Sequence, residues 1–275
     1  MPRPVGNAGL STWGASTFHV AEMNEQDWLI CDDSIPMLEF LQTGSGAPFD
    51  SPSREIDSQD EGDRGVLSWK ATQRKLRLFA CACMRRTKVF GGPDQLHAIR
   101  ISEQYADGLV DRAALEDAFV PVKKLPEPIP CDADFALSVL GPTNMLWEAR
   151  LIDVFLTLGP ELDVRAVATK AAEIVTQCEG ARRGRDERSQ QAHLLRDIFG
   201  NPFRPVQLDT SRLTAKTRSL AEAIYEEGRF AKLPLLAKAL KQDACCANRD
   251  LLDHSRWPIQ HVRGCWVVDL VLGKS

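Results

Sequence analysis

Four residues near the carboxy-terminal end carry the chemistry that stands out in this chain. Cys246, His254, His261 and Cys265 offer two thiols and two imidazoles in the spacing C-x7-H-x6-H-x3-C. Thiolate and imidazole are the donors that Zn2+ prefers, and four of them complete a tetrahedral shell. His261 and Cys265 would share one face if their segment were helical, although Gly264 stands between them. The spacing matches no common zinc module. The competing reading makes Cys246 and Cys265 core residues, with His254 and His261 capping helices or pairing with Asp253 and Asp269. A Cys265–His261 nucleophile is a third reading. It needs a lowered thiol pKa and a base in hydrogen-bond reach, and the apolar neighbours Trp266, Val267 and Val268 argue instead for a buried, inert thiol. On sequence alone, packing is preferred over chemistry, and the cofactor expectation is none or zinc.

The second set is basic. Arg74, Lys75, Arg77, Arg85, Arg86 and Lys88 follow one another with no acid between them, and Arg182, Arg183, Arg185 and Arg188 form another cluster. Such residues can track phosphates and would serve a nucleic-acid partner. Few aromatics are interleaved for stacking. The alternative is a solvated face paired with acids at 55–63. HExxH, GxSxG, the Walker loop and GxGxxG are all missing from the sequence, which disfavours the chemistries those motifs support.

The elements that must position these groups read as helices. Asn24 and Ser34 can cap two short helices, the first carrying Trp28. A longer helix over 69–90 has an apolar stripe at Leu76, Phe79, Ala80 and Cys83 and stops at Gly91-Gly92-Pro93. Helical spacing recurs at 94–108, 111–119, 132–140, 144–158, 163–178, 192–199, 210–228 and 230–244, with Asn248 capping one more. The apolar end, 264–272, reads as a further helix, because the chain offers almost no strand partners. No run sustains period-2 alternation. The expected fold class is all-α, a bundle or irregular array of ten to twelve mostly short helices.

Composition sets the frame. The 275 residues are 44% hydrophobic and 26% charged, with net charge −4. No apolar stretch approaches the roughly 18–20 residues of a membrane span, so no membrane partner is expected. Eight cysteines without a CxxC pair, and no export signal in the first 20 residues, point to a reducing, cytoplasmic setting. Residues 1–22 read as a flexible extension, and 23–120 as an N-terminal helical part containing a mobile acidic loop at 43–68. Prolines 121, 126, 128 and 130 begin a variable middle, 121–184, as an extended connector. A C-terminal helical part follows over 185–275.

Several stretches also occur together in a recognisable order: DWLIC and PMLEFLQ, RKLRLFACACMRR, EQYADGL, LLRDIFGNPFRPV, AIYEEGRFAKLPLLAKAL and HVRGCWVVDLVLGK. In this order they resemble a large planctomycete protein family without an established activity. Relatives tend to carry His-Cys where this chain has His254-Ser255. The resemblance implies no chemistry. The functional expectation is therefore a non-catalytic adaptor that binds another protein. A nucleic-acid-associated factor and a zinc- or thiol-dependent enzyme are the alternatives.

Overall fold

The computed structural model describes residues 23–43, 72–87, 92–123, 157–243, 248–257 and 260–274. The expected extension at 1–22, most of the acidic loop, the helix expected at 132–140, residues 144–156 of the helix expected at 144–158, Lys88 and Cys246 lie outside the described residues. Eleven α-helices and no strand occur among those described, so the chain is all-α. The helices are α1 (Glu25–Ile30), α2 (Ser34–Thr43), α3 (Gln73–Arg86), α4 (Pro93–Ala106), α5 (Arg112–Lys123), α6 (Val164–Glu179), α7 (Ala181–Phe199), α8 (Ala215–Glu226), α9 (Leu233–Gln242), α10 (Arg249–His254) and α11 (Trp266–Leu272).

Local signals set most of the boundaries. The Asn24 side chain accepts from the Asp27 amide at 3.0 Å while Asp27 accepts from the Asn24 amide at 3.1 Å, a reciprocal cap that starts α1. Thr72, Asp163, Thr214 and Asn248 cap α3, α6, α8 and α10 from one side only, each side chain accepting an amide three residues on. Two boundaries differ from expectation. α5 runs through Pro121 to Lys123, so the connector does not begin at the first proline; near the end of a helix, one missing amide bond is tolerated. Residues 181–191, ahead of the helix expected at 192–199, are themselves helical, and α7 is continuous over 19 residues.

The apolar side chains sort into two cores. Trp28, Phe40, Phe79, Phe119 and Leu195 belong to the first, built from α1 to α7. Tyr225, Leu236, Leu251 and Val268 belong to the second, built from α8 to α11. The packing boundary therefore follows α7. α3 lies deep: every residue from Leu76 to Met84 is buried. It is a central helix, with no solvated basic face along that stretch.

A buried polar network ties the cores together. Arg74 of α3 donates to Asp269 of α11 at 2.7 Å, to Asp107 at 3.0 Å and to the Tyr225 hydroxyl at 2.7 Å. Arg263 also donates to Asp107, at 3.1 Å, and the Tyr225 hydroxyl donates to the same carboxylate at 2.7 Å. Among the described residues no buried side-chain nitrogen or oxygen lacks a partner, the condition under which such a network holds one arrangement.

Candidate metal centre

Where the two cores meet, four donor atoms converge. Asp197 sits in the last turn of α7, His254 ends α10, His261 lies in the following loop, and Cys265 is the residue just before α11. Their ligand atoms all lie within 4.8 Å of one another. His254 Nε2 is 3.1 Å from Asp197 Oδ1 and 3.4 Å from Cys265 Sγ. His261 Nδ1 is 2.6 Å from the same Oδ1 and 4.0 Å from the same sulfur. A tetrahedral ion with nitrogen and oxygen at ~2.0–2.1 Å and sulfur at ~2.3 Å separates its donors by roughly 3.3–3.6 Å. The observed separations bracket that range, so small shifts bring all four into a first coordination sphere.

The outward edges of these ligands are also held. Asp197 Oδ2 accepts the Val262 amide at 2.9 Å, which turns Oδ1 inward. His261 Nε2 lies 3.3 Å from the Trp257 carbonyl. That carbonyl can only accept, so it provides a partner for an Nε2 proton when Nδ1 gives its lone pair to a metal in place of the proton shared with Asp197. Backbone partners of this kind fix the tautomer and ring orientation of metal ligands. His254 packs edge-on to His261 and beside the Trp266 indole, with ring centroids 5.0 and 5.2 Å away.

The loop that delivers His261 and Cys265 is not a helix. The Cys265 amide donates to the Val262 carbonyl at 3.0 Å in a tight turn, with Gly264 at φ +93°. A Cβ at Gly264 would stand 3.0 Å from Leu78 Cδ1 of α3. Glycine is required there twice over, for its left-handed backbone and for its close approach to the central helix.

The site is electrically constrained. Burial alone would raise the Asp197 carboxyl; its hydrogen bonds to His254 and His261 outweigh that and hold it below the ordinary carboxylate range. Burial, reinforced by the Asp197 charge, pushes the Cys265 thiol well above its usual range. A nucleophilic thiol needs the opposite shift. A cysteine–histidine–acid relay also needs the acid on the ring nitrogen away from the sulfur. Here Asp197 Oδ1 and the sulfur face the same nitrogen of each ring. The arrangement is a cage of donors around a point, with no relay through either imidazole.

The sequence named three of these residues and missed Asp197. Cys246 lies outside the described residues. Ser255, next to His254, is buried and donates to the Leu251 carbonyl at 2.8 Å, the ordinary back-bond of a helical serine. The signal for Asp197 was available: it is an acid set among Leu194, Leu195, Ile198 and Phe199, where an isolated charge is costly to bury.

The basic residues are placed differently from the expected phosphate track. Arg74 belongs to the buried network. Arg77 donates to the Leu158 and Gly159 carbonyls, both at 2.9 Å, and lies 5.0 Å from the Tyr105 ring. Arg85 grips Glu103, and Arg86 grips Glu187. Lys75 is half-buried, its ammonium 5.7 Å from the centre of the Phe199 ring, and desolvation there lowers its pKa. Arg182, Arg183 and Arg185 are exposed at the start of α7, and Arg188 pairs with Asp33 at 3.3 Å.

No family model, no curated protein and no solved structure matches the chain. No helix among the described residues is long and apolar enough to cross a membrane.

Proposed function

We propose that this protein is a non-catalytic helical interaction module whose two cores are stapled by one Zn2+ ion at Asp197, His254, His261 and Cys265. The convergence of those four ligand atoms within 4.8 Å of one another carries the reading. Four protein donors leave no open position for substrate, the arrangement of structural zinc sites. Carboxylate and thiolate together cancel the dication, so the occupied site is formally neutral, as a buried position favours. A mixed sulfur, nitrogen and oxygen set suits zinc better than the hard cations Mg2+ or Ca2+. The role as a protein-binding module is supported by large apolar side chains left in solvent near the site, with Leu29 49% and Trp257 54% exposed.

Metal analysis of the purified protein tests this directly. About one zinc per chain is expected, together with a fall in melting temperature on chelation. A chain that carries less than about a tenth of an equivalent after zinc loading, given the four-donor requirement, and melts identically with chelator, would overturn the staple.

A further inference from the structure

On the other side of His254 lies a cavity of about 420 Å3. It opens between α1, the end of α7, α10 and the start of α11. Trp28 and Leu29 line it from α1, Asp250 and Asp253 from α10, Trp257 from just beyond α10, and Trp266 from the start of α11. The two aspartates are three residues apart on a helix and share a face.

The charges lining this cavity are unevenly committed. Arg196 donates to the Trp28 carbonyl at 2.7 Å and also to that of Cys31. Arg204 is paired with Glu25, which also accepts from Asn201 at 2.7 Å. The two arginines and the glutamate are thus tied to the wall. Asp253 meets Arg249 in an exposed pair one turn away, an interaction of little strength. Asp250 is exposed in the first turn of α10. The charge still available to a visitor is therefore negative, and it stands beside indole faces. Tryptophan is the best aromatic partner for a cation, and an aliphatic stem can lie along Leu29 and the rings while its charged head reaches the carboxylates.

We infer that this cavity receives a lysine or arginine side chain presented by a partner polypeptide. The stem packs against Leu29, Trp257 and Trp266, and the cation sits between the indoles and Asp250 and Asp253. The inference rests on the interaction-module reading and names the chemistry its partner must offer. It does not depend on the metal. A volume at the small end of the ~300–1,000 Å3 range of ligand sites suits one long side chain better than a folded surface.

The test uses short Gly/Ser peptides holding a single lysine, arginine, norleucine or glutamate, titrated into the full chain. Tryptophan fluorescence and the Trp257 indole NMR signal are followed. Lysine and arginine peptides should perturb Trp257 and bind at least about tenfold more tightly than norleucine, as a desolvated cation–indole contact with neighbouring carboxylates requires. Asp250→Asn with Asp253→Asn should abolish that preference while leaving the melting temperature in place. Equal binding of norleucine, a preference for glutamate, or silence of Trp257 toward every peptide would overturn the inference. So would tetramethylammonium binding as tightly as the peptides, because the occupant would then be a small ammonium compound. Capture of the native partner unaffected by Trp257→Ala would leave the module reading standing and remove this cavity from it. Zinc content measured on the same samples reports on the staple independently.

Discussion

Asp197→Asn is the most informative single change. The substitution is nearly isosteric, and its remaining carbonyl oxygen can still accept the Val262 amide now bound at 2.9 Å. What disappears is the negative charge that holds His254 Nε2 at 3.1 Å and His261 Nδ1 at 2.6 Å, together with one of the two anionic zinc donors. Removing one partner of a fully buried charged cluster costs about 3–5 kcal/mol. At ~2–4 °C per kcal/mol for a chain of this size class, the melting temperature should fall by roughly 6–20 °C. The decisive readout is non-additivity. Chelator should lower the melting temperature of the parent chain and leave that of Asp197→Asn almost unmoved, because the variant has little bound ion to lose. Calorimetry with and without chelator, paired with elemental zinc analysis, measures both. A variant that keeps a full equivalent of zinc, or one as sensitive to chelator as the parent, would refute the assignment of Asp197 as a ligand.

Four further outcomes follow from the same geometry. Because burial keeps the Cys265 thiol protonated at neutral pH, zinc uptake should release about one proton from it; calorimetric heats that do not change with the buffer's ionisation enthalpy would contradict this. The Asp197 carboxyl titrates below its unfolded value of about 3.9. Its stabilisation is thus complete above that value and is lost as pH falls through the lower folded value. The melting-temperature gap between the parent and Asp197→Asn should therefore shrink in acid, and a gap constant from pH 7 to pH 2 would refute this. Arg74→Met leaves Asp269 buried without its guanidinium, while Asp107 keeps Arg263, and should cost about 3–5 kcal/mol in urea unfolding, with part recovered in Arg74→Met/Asp269→Leu; no recovery would mean the network is not the source. Gly264→Ala places a side chain at φ +93° and 3.0 Å from Leu78 and should cost about 1–3 kcal/mol. Pairing it with Leu78→Ala relieves the contact but not the backbone, so full restoration would show the backbone to be unstrained.

The helical class was readable because its signals are local. Asn24, Asp163 and Asn248 each bond an amide three residues on, and the Pro and Gly punctuation around α4, α7 and α9 lies within one turn of the ends it marks. The depth of α3 was not readable in that way. Six neighbouring positive charges suggest a wet surface, and the acids that pair with Arg85, Arg86 and Arg74 lie 18, 101 and 195 positions away. The metal centre was half readable for the same reason. His254, His261 and Cys265 fall close together in sequence, while Asp197 precedes the histidines by 57 and 64 positions and sits in an apolar stretch of helix that composition assigns to packing.

The clasp of Arg263 on Asp107 also sets an order of events during synthesis. The two residues are 156 positions apart, so at roughly 5–20 residues per second a ribosome needs about 8–30 s to supply the guanidinium after the carboxylate has been made. For that interval Asp107 lacks Arg263 and Arg74 lacks Asp269, and the first core cannot seal its inner charged surface. Removal of Arg263 and the residues of α11 should therefore unsettle helices translated much earlier, and chaperone association should persist until α11 has been made.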